Sequence, residues 1–230
     1  MSIIEQNVSF PSGAAQLGGM IARPEGAGPF PAVVVIHEAF GLNDNIRTIT
    51  RRLADQGYLA FAVDLFAGRN HAVCMLRFVA GTLANSLDHG GIHDLRAALD
   101  FLVTQPAVDT ARIGTIGFCM GGSFAIAWAC TDDRLQVIAP FYSFNPRPID
   151  AVARACPVVG SFPQNDPTRN QARTLDAALT RHAIPHDIKT YPGARHSFFN
   201  DQGRNYDPAA SDDAWQRTLA FFAAHIGQQN

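Results

Sequence analysis

The sequence predicts an α/β protein in which helices cover both faces of a mainly parallel central sheet. Short apolar runs bounded by turn residues alternate with segments whose apolar residues recur at helical spacing, as in crossover connections between parallel strands. The predicted buried strands are Ala32–Ile36, Leu59–Val63, Ile113–Phe118, Val137–Phe141 and Val158–Gly160. The chain has 230 residues, 47% of them hydrophobic and 17% charged, which favours one globular domain over residues 1–230.

An edge hairpin and four helices are predicted outside these strands. Residues 1–24 predict an antiparallel hairpin at the sheet edge, with its turn near Ser12 and Gly13. Four helices are predicted where apolar residues share one face. Their apolar positions are Ile46, Ile49 and Leu53; Ile92, Leu95, Leu99 and Leu102; Leu175 and Leu179; and Trp215, Leu219, Phe222 and Ile226. Asp207 and Pro208 are typical of the N-cap and first position of the last helix.

Composition excludes several classes of partner. The net charge is −2 and no cluster of Lys and Arg occurs, which argues against a nucleic-acid partner. No stretch approaches 18 consecutive apolar residues and the N-terminus lacks a signal-peptide pattern, so we expect no membrane partner and a cytoplasmic location. The cysteines form neither a CxxC pair nor a Cys/His zinc spacing, so we expect reduced thiols and no metal.

The strongest chemical signal lies at the end of the predicted strand Ile113–Phe118. The segment Gly117–Gly121 has the form G-x-C-x-G, a nucleophile elbow in which a tight strand-to-helix turn presents Cys119 between two glycines. The dipole of the helix that follows favours the thiolate by ~1 kcal/mol, too little to ionise a thiol of pKa about 8.5 at pH 7. A base must complete the activation. A buried structural cysteine is the alternative for Cys119 and the expectation for Cys74, Cys130 and Cys156.

The predicted base is His196. It ends the predicted loop Pro192–His196 after the predicted strand His186–Tyr191, and enzymes built on such sheets carry catalytic groups beyond the carboxyl ends of strands. In α/β-hydrolases the acid stands between nucleophile and histidine in chain order, which favours Asp166 in the loop after the predicted strand Pro157–Phe162. Asp166 would hold the tautomer of His196, whereas a turn aspartate before proline is the alternative.

From end to end, the chain resembles the dienelactone hydrolase family of α/β-hydrolases. The matching stretches are VVVIHEAFGLN (Val33–Asn43), AVDLF (Ala62–Phe66), GFCMGG (Gly117–Gly122), Asp166 and YPGARHSF (Tyr191–Phe198). The resemblance implies the α/β-hydrolase fold and a carboxymethylenebutenolidase-like hydrolase of small lactones or esters. It also implies a triad of Cys119, His196 and Asp166 and no cofactor.

The same resemblance adds Glu38 and Ala39 to the site, whereas the N–H of Met120 is expected there from its place at the start of the helix after Cys119. Glu38 corresponds to a family glutamate that contacts the resting thiol, where a carboxylate would disfavour the oxidation-prone thiolate; a solvated loop residue is the alternative. The N–H groups of Met120 and Ala39 would hold the oxyanion formed when Cys119 attacks the substrate carbonyl. His196 would then assist hydrolysis of the acyl-enzyme.

Substrate recognition is the least determined part. Dienelactone is a carboxylate that family members hold with arginines, so we expect an anionic small-molecule substrate; the candidate anchors are Arg77, Arg195 and Arg204, each equally suited to a surface position. A general carboxylesterase or thioesterase is an alternative. So is a non-catalytic, thiol-sensing or ligand-binding protein of the same fold. The chain is expected to be a monomer or a homodimer.

Overall fold

A computed structural model describes residues 2–227; Met1 and residues 228–230 of the predicted domain lie outside the described part. The strands are β1 Ile3–Ser12, β2 Ala15–Pro24, β3 Phe30–Ile36, β4 Leu59–Asp64, β5 Val108–Phe118, β6 Val137–Phe141, β7 Val158–Asn165 and β8 His186–Arg195. The helices are α1 Asp44–Asp55, α2 His71–Ala84, α3 Gly90–Leu102, α4 Met120–Ala129, α5 Arg169–Arg181 and α6 Pro208–Ile226, with a 3₁₀ helix at Ile149–Arg154.

All eight of these strands form one sheet in the order β1-β2-β4-β3-β5-β6-β7-β8. β1 and β2 are an antiparallel hairpin at one edge, and β2 also runs antiparallel to β4. From β4 to β8 neighbouring strands are parallel. The hairpin turns at Gly13, whose φ of +58° suits a residue without a side chain. The predicted α/β-hydrolase fold with an antiparallel edge hairpin is confirmed.

The core lies in two layers, one on each face of the sheet. Strand β3 shows why, because Val33 and Val35 pack on the face covered by α1 and α6, whereas Val34 and Ile36 pack on the face covered by α3, α4 and α5. These four side chains are all fully buried. Such strands have no polar alternation, which is why they were predicted from continuous apolar runs.

One helix was not predicted from the sequence. Cys74 and Phe78 of α2 are buried, but several apolar residues on its other faces are more than half exposed: Val73, Leu76, Val79 and Leu83. The apolar residues of α2 therefore surround the helix and give no single face that sequence periodicity could reveal.

In the part of the chain that the structure describes, no helix has both the length and the apolarity needed to span a membrane.

The predicted loop Pro192–His196 was wrong in its first part, because β8 continues to Arg195. β8 is an edge strand, so Pro192 can lie within it without breaking a hydrogen bond to a further strand. Gly193 adopts a φ of +80°, where the register with β7 shifts. His196 consequently begins the connection beyond the strand end, next to the exit of β7.

Candidate active site

Cys119 occupies the turn between β5 and α4 with φ +53° and ψ −112°. This is a strained conformation for a residue with a side chain, and strain of this kind is concentrated at functional sites. The two flanking glycines are required by close contacts. A Cβ on Gly117 would overlap the carbonyl of Gly121, and a Cβ on Gly121 would overlap the carbonyl of Ile36.

In the resting structure the Cys119 thiol is protonated at neutral pH. Burial raises its pKa from the ordinary 9.0 to about 11, and the neighbouring carboxylate of Glu38 adds to the rise. The Met120 N–H at the start of α4 opposes it, because a hydrogen bond from this group favours the thiolate. The effect of the helix N-terminus on the thiol pKa is therefore smaller than the combined effect of burial and Glu38.

Asp166 and His196 form a hydrogen-bonded pair, with 2.8 Å between Asp166 Oδ2 and His196 Nδ1. The Asp166 side chain is 1% exposed. Its Oδ1 accepts hydrogen bonds from the backbone N–H (2.7 Å) and the hydroxyl (2.5 Å) of Thr168. Asp166 is therefore both the predicted partner of His196 and a turn residue, because its two oxygens serve the two roles.

The His196 ring packs against Tyr142, with 5.1 Å between ring centroids. Asn205 Nδ2 donates to the His196 carbonyl oxygen at 2.9 Å, which fixes the backbone of the loop. Within residues 2–227 no hydrogen bond joins the Cys119 thiol to His196. Hydrogen bonds of this kind are often long before substrate binds, so the ring and the thiol can be partners in the reaction.

Glu38 is buried, not a solvated loop residue, with 2% of its surface exposed. The hydroxyl of Ser197 donates to its Oε1 at 2.7 Å, and Asn200 Nδ2 lies 3.5 Å from its Oε2. Ser197 follows His196 directly in the chain, and Asn200 lies three residues beyond Ser197. The segment that carries the histidine therefore also holds the carboxylate beside the thiol.

His37 is a site residue that the sequence did not single out among eight histidines. It is fully buried, and the backbone N–H of Leu65 donates to its Nε2 at 3.0 Å. The proton therefore lies on Nδ1, which donates to the Glu38 carbonyl at 2.6 Å. Burial lowers the pKa of His37, so the ring is neutral. It ties the loop of Glu38 and Ala39 to the end of β4.

An apolar cavity of about 760 Å³ opens beside the thiol. Cys119, Met120 and Ala39 line it, together with side chains of α2, α4 and α5 and the segment 144–149. The two residues expected to supply oxyanion N–H groups therefore border the same space as the Cys119 thiol. Arg147 also lines the cavity, and no motif in the sequence indicates this.

None of the three arginines proposed as substrate anchors lines this cavity. Arg77 is on α2, about 200° around the helix from the cavity-lining residues Met75 and Val79, and lines a separate cavity of about 430 Å³. Arg195 ends β8 and Arg204 lies in the loop before α6; both are exposed. A linear sequence gives no angle around a helix that has no clear apolar face, so it does not show which of the two cavities Arg77 lines.

The other cysteines are free thiols outside this cavity. Cys74 and Cys130 are buried, and burial raises the pKa of Cys130 and of Cys156 to about 12. Their burial and their place outside the cavity fit the structural role expected of Cys130 and Cys156.

Comparison with known proteins agrees with this geometry. The model of the Dienelactone hydrolase family matches residues 17–226, nearly the whole chain. This chain belongs to the dienelactone hydrolase family. It is a carboxymethylenebutenolidase-like hydrolase of a family that acts on ester bonds.

Two relatives match this chain over nearly their full length, and a third protein shares only the fold. A protein of Saccharolobus solfataricus named "Putative carboxymethylenebutenolidase" is 31% identical over an alignment of 258 positions, gaps included, that covers 95% of this chain and 98% of the relative. The solved structure of a dienelactone hydrolase-like promiscuous phosphotriesterase from metagenomic libraries has a TM-score of 0.86 and 27% identity, covering 99% of this chain and 100% of its own. An acylaminoacyl peptidase of Pyrococcus horikoshii, 14% identical with a TM-score of 0.82, shares the fold over 100% of this chain and 43% of its own.

Proposed function

We propose that the protein hydrolyses small esters or lactones through a thioester acyl-enzyme on Cys119, with His196 as base and Asp166 as its partner. The observation that carries the proposal is the 2.8 Å hydrogen bond between Asp166 Oδ2 and His196 Nδ1. It fixes the proton on Nδ1 and leaves Nε2 free to exchange a proton with the thiol and later with water. The strained elbow at Cys119 supports the role of nucleophile.

In the first half of the reaction, His196 Nε2 takes the thiol proton while Cys119 Sγ attacks the carbonyl carbon. The carbonyl π electrons move to oxygen, and the N–H groups of Met120 and Ala39 stabilise the negative charge. When the intermediate collapses, the C–O bond to the leaving group breaks and the alkoxide takes the proton from His196. The acyl group remains on sulfur as a thioester.

In the second half, a water molecule attacks the thioester carbon. His196 Nε2 accepts a proton from this water, and collapse of the second intermediate breaks the C–S bond. The proton returns to sulfur, which restores the neutral Cys119 and releases the carboxylic acid. Asp166 keeps its negative charge throughout and stabilises the imidazolium of His196.

Glu38 has the role of keeping the thiol neutral between turnovers. Its buried carboxylate raises the pKa of Cys119, and a neutral thiol resists oxidation. A substrate that occupies the cavity and displaces Glu38 would remove this effect. The same pKa argues against the thiol-sensing alternative, because sensor cysteines need a low pKa.

An anionic substrate would require a cation at the cavity, and Arg147, an exposed residue, is the arginine among the lining residues. Its guanidinium pairs with none of the carboxylates in residues 2–227. Its backbone is held by Ser86, whose hydroxyl donates to the Arg147 carbonyl at 3.0 Å and accepts from the Arg147 N–H at 2.7 Å. We therefore assign the anchoring role to Arg147 instead of Arg77, Arg195 or Arg204.

Steady-state hydrolysis of p-nitrophenyl acetate tests the proposal, followed by a panel of lactones, alkyl esters and thioesters to separate the alternatives. Cys119→Ala is expected to abolish turnover. Cys130→Ala is the matched control, because it removes a thiol at the other end of α4 without touching the site. Equal activity of the Cys119→Ala variant and the wild type would refute the proposed nucleophile.

A further inference from the structure

The cavity beside Cys119 is elongated along two helices. On α4 it is lined from Met120 to Ala127, about 10 Å at the helical rise. On α2 it is lined from Met75 to Leu83, about 12 Å. A small lactone ring would fill only the end next to the thiol.

Two contacts show which end of the cavity is near the reacting atoms. The distance from Nε2 of His71, at the start of α2, to the carbonyl oxygen of Ala39, in the loop after β3, is 2.7 Å. Ser86, just beyond the end of α2, holds the backbone of Arg147. The cavity therefore begins at the thiol and leads along α2 towards Arg147.

The walls between these ends are apolar and partly open to water. Phe78 and Phe124 form the buried part, whereas Val79, Leu83 and Phe144 are 51%, 67% and 52% exposed. Exposed apolar residues that line one cavity mark a site where an apolar ligand removes them from water. Because these residues line the same cavity as Cys119, we infer that the apolar ligand is part of the substrate.

We propose that this cavity is an acyl-binding site and that the preferred substrates are esters of medium-chain carboxylic acids, with the carbonyl at Cys119 and the chain along α2 and α4. The inference rests on the proposed function and adds its substrate class. A length of about 10 Å accommodates about eight carbons, since each C–C bond of about 1.5 Å advances an extended chain by somewhat less.

The test is a series of p-nitrophenyl esters from acetate through butyrate to octanoate. Full burial of one methylene is worth about 0.8 kcal/mol, or about fourfold in kcat/KM; in this half-open cavity we expect about twofold for each methylene. The kcat/KM for octanoate should then exceed that for acetate by about 60-fold. A value for octanoate equal to or below that for acetate would overturn the inference.

Two valines on α2 give a matched pair of variants. Val79 lines the cavity and Val73 does not, yet they are 51% and 54% exposed. Val79→Glu should lower the octanoate-to-acetate ratio of kcat/KM by at least tenfold, because a charge in the wall opposes burial of the chain. Val73→Glu should leave the ratio unchanged. Equal effects of the two variants would contradict the assignment of the wall.

A second variant and a binding measurement separate this inference from the proposed function. Ala127→Phe fills the far part of the cavity and should move the preference to butyrate. Titration calorimetry with methyl octyl ketone, which cannot be hydrolysed, should show binding to the wild type and at least tenfold weaker binding to the Val79→Glu variant. Ketone binding without hydrolysis of any ester would refute the proposed function alone, whereas acetate hydrolysis without ketone binding would refute the acyl site alone.

Discussion

The reactivity of the resting thiol can be calculated from the surroundings of Cys119. With a pKa of about 11, about one molecule in 10⁴ carries the thiolate at pH 7, a hundredfold less than a thiol of pKa 9.0. Iodoacetamide reacts with the thiolate, so Cys119 should be alkylated about a hundredfold more slowly than a free thiol at pH 7. The rate constant should rise about tenfold for each pH unit and level off near pH 11.

Burial is the larger cause of the raised pKa of Cys119, and replacement of Glu38 by Gln tests the second cause, the neighbouring carboxylate. The variant loses the neighbouring negative charge, so the thiol pKa falls and the alkylation rate constant at pH 7 rises by up to about tenfold. Glu25→Gln, at an exposed position, is the matched control and should show the wild-type rate. Peptide mass spectrometry at successive times measures Cys119 separately from the other cysteines. A wild-type rate that levels off at or below pH 8.5, or no change in the Glu38 variant, would refute the reasoning.

Four further predictions follow from the site and its supports. Asp166→Asn should lower kcat for p-nitrophenyl acetate by about 10³-fold, because the tautomer of the base is no longer fixed. Gly117→Ala should lower the free energy of unfolding by about 3 kcal/mol in urea titrations, since the added methyl group meets backbone. Burial lowers the pKa of His37 below the value of 6.5 in the unfolded chain, so the stability that the neutral ring contributes is present above pH 6.5 and is lost as the pH falls. The urea concentration at the unfolding midpoint should therefore decrease less between about pH 7.5 and 5.5 in the His37→Gln variant than in the wild type. Arg147→Ala should lower kcat/KM by up to about fivefold for esters with a carboxylate at the far end of the acyl chain, whereas Arg77→Ala should change neither charged nor neutral esters.

The sheet could be predicted because its parallel strands are buried on both faces. β3, β4 and β6 are continuous apolar runs whose ends are marked by turn residues, and their bounds were correct to within about two residues. The predicted end of β8 was wrong because an edge strand tolerates Pro and Gly, residues that are otherwise typical of a loop. α2 was missed because its apolar residues serve both the core and an open cavity.

Some parts of the site are also marked by the sequence, whereas others depend on tertiary contacts. The glycines around Cys119 and the chain order of Asp166 and His196 are local features, visible without coordinates. Thr168, which donates to Asp166, could have been found from a weak signal. It stands two residues after an aspartate, and in an Asx turn the backbone N–H at that position donates to the aspartate side chain. Arg147 had none. Its place in the cavity depends on how the segment before the 3₁₀ helix meets the end of α2, and that is a tertiary contact.

Covalent trapping on Cys119 tests the central claim most directly. The His196→Ala variant, incubated with p-nitrophenyl butyrate at about pH 9 to supply thiolate, lacks the base that activates water. Mass spectrometry should find one butyryl group per chain, on the peptide that contains Cys119, and hydroxylamine should remove it as expected of a thioester. A wild-type rate of hydrolysis in this variant, or an acyl group on another residue, would contradict the account.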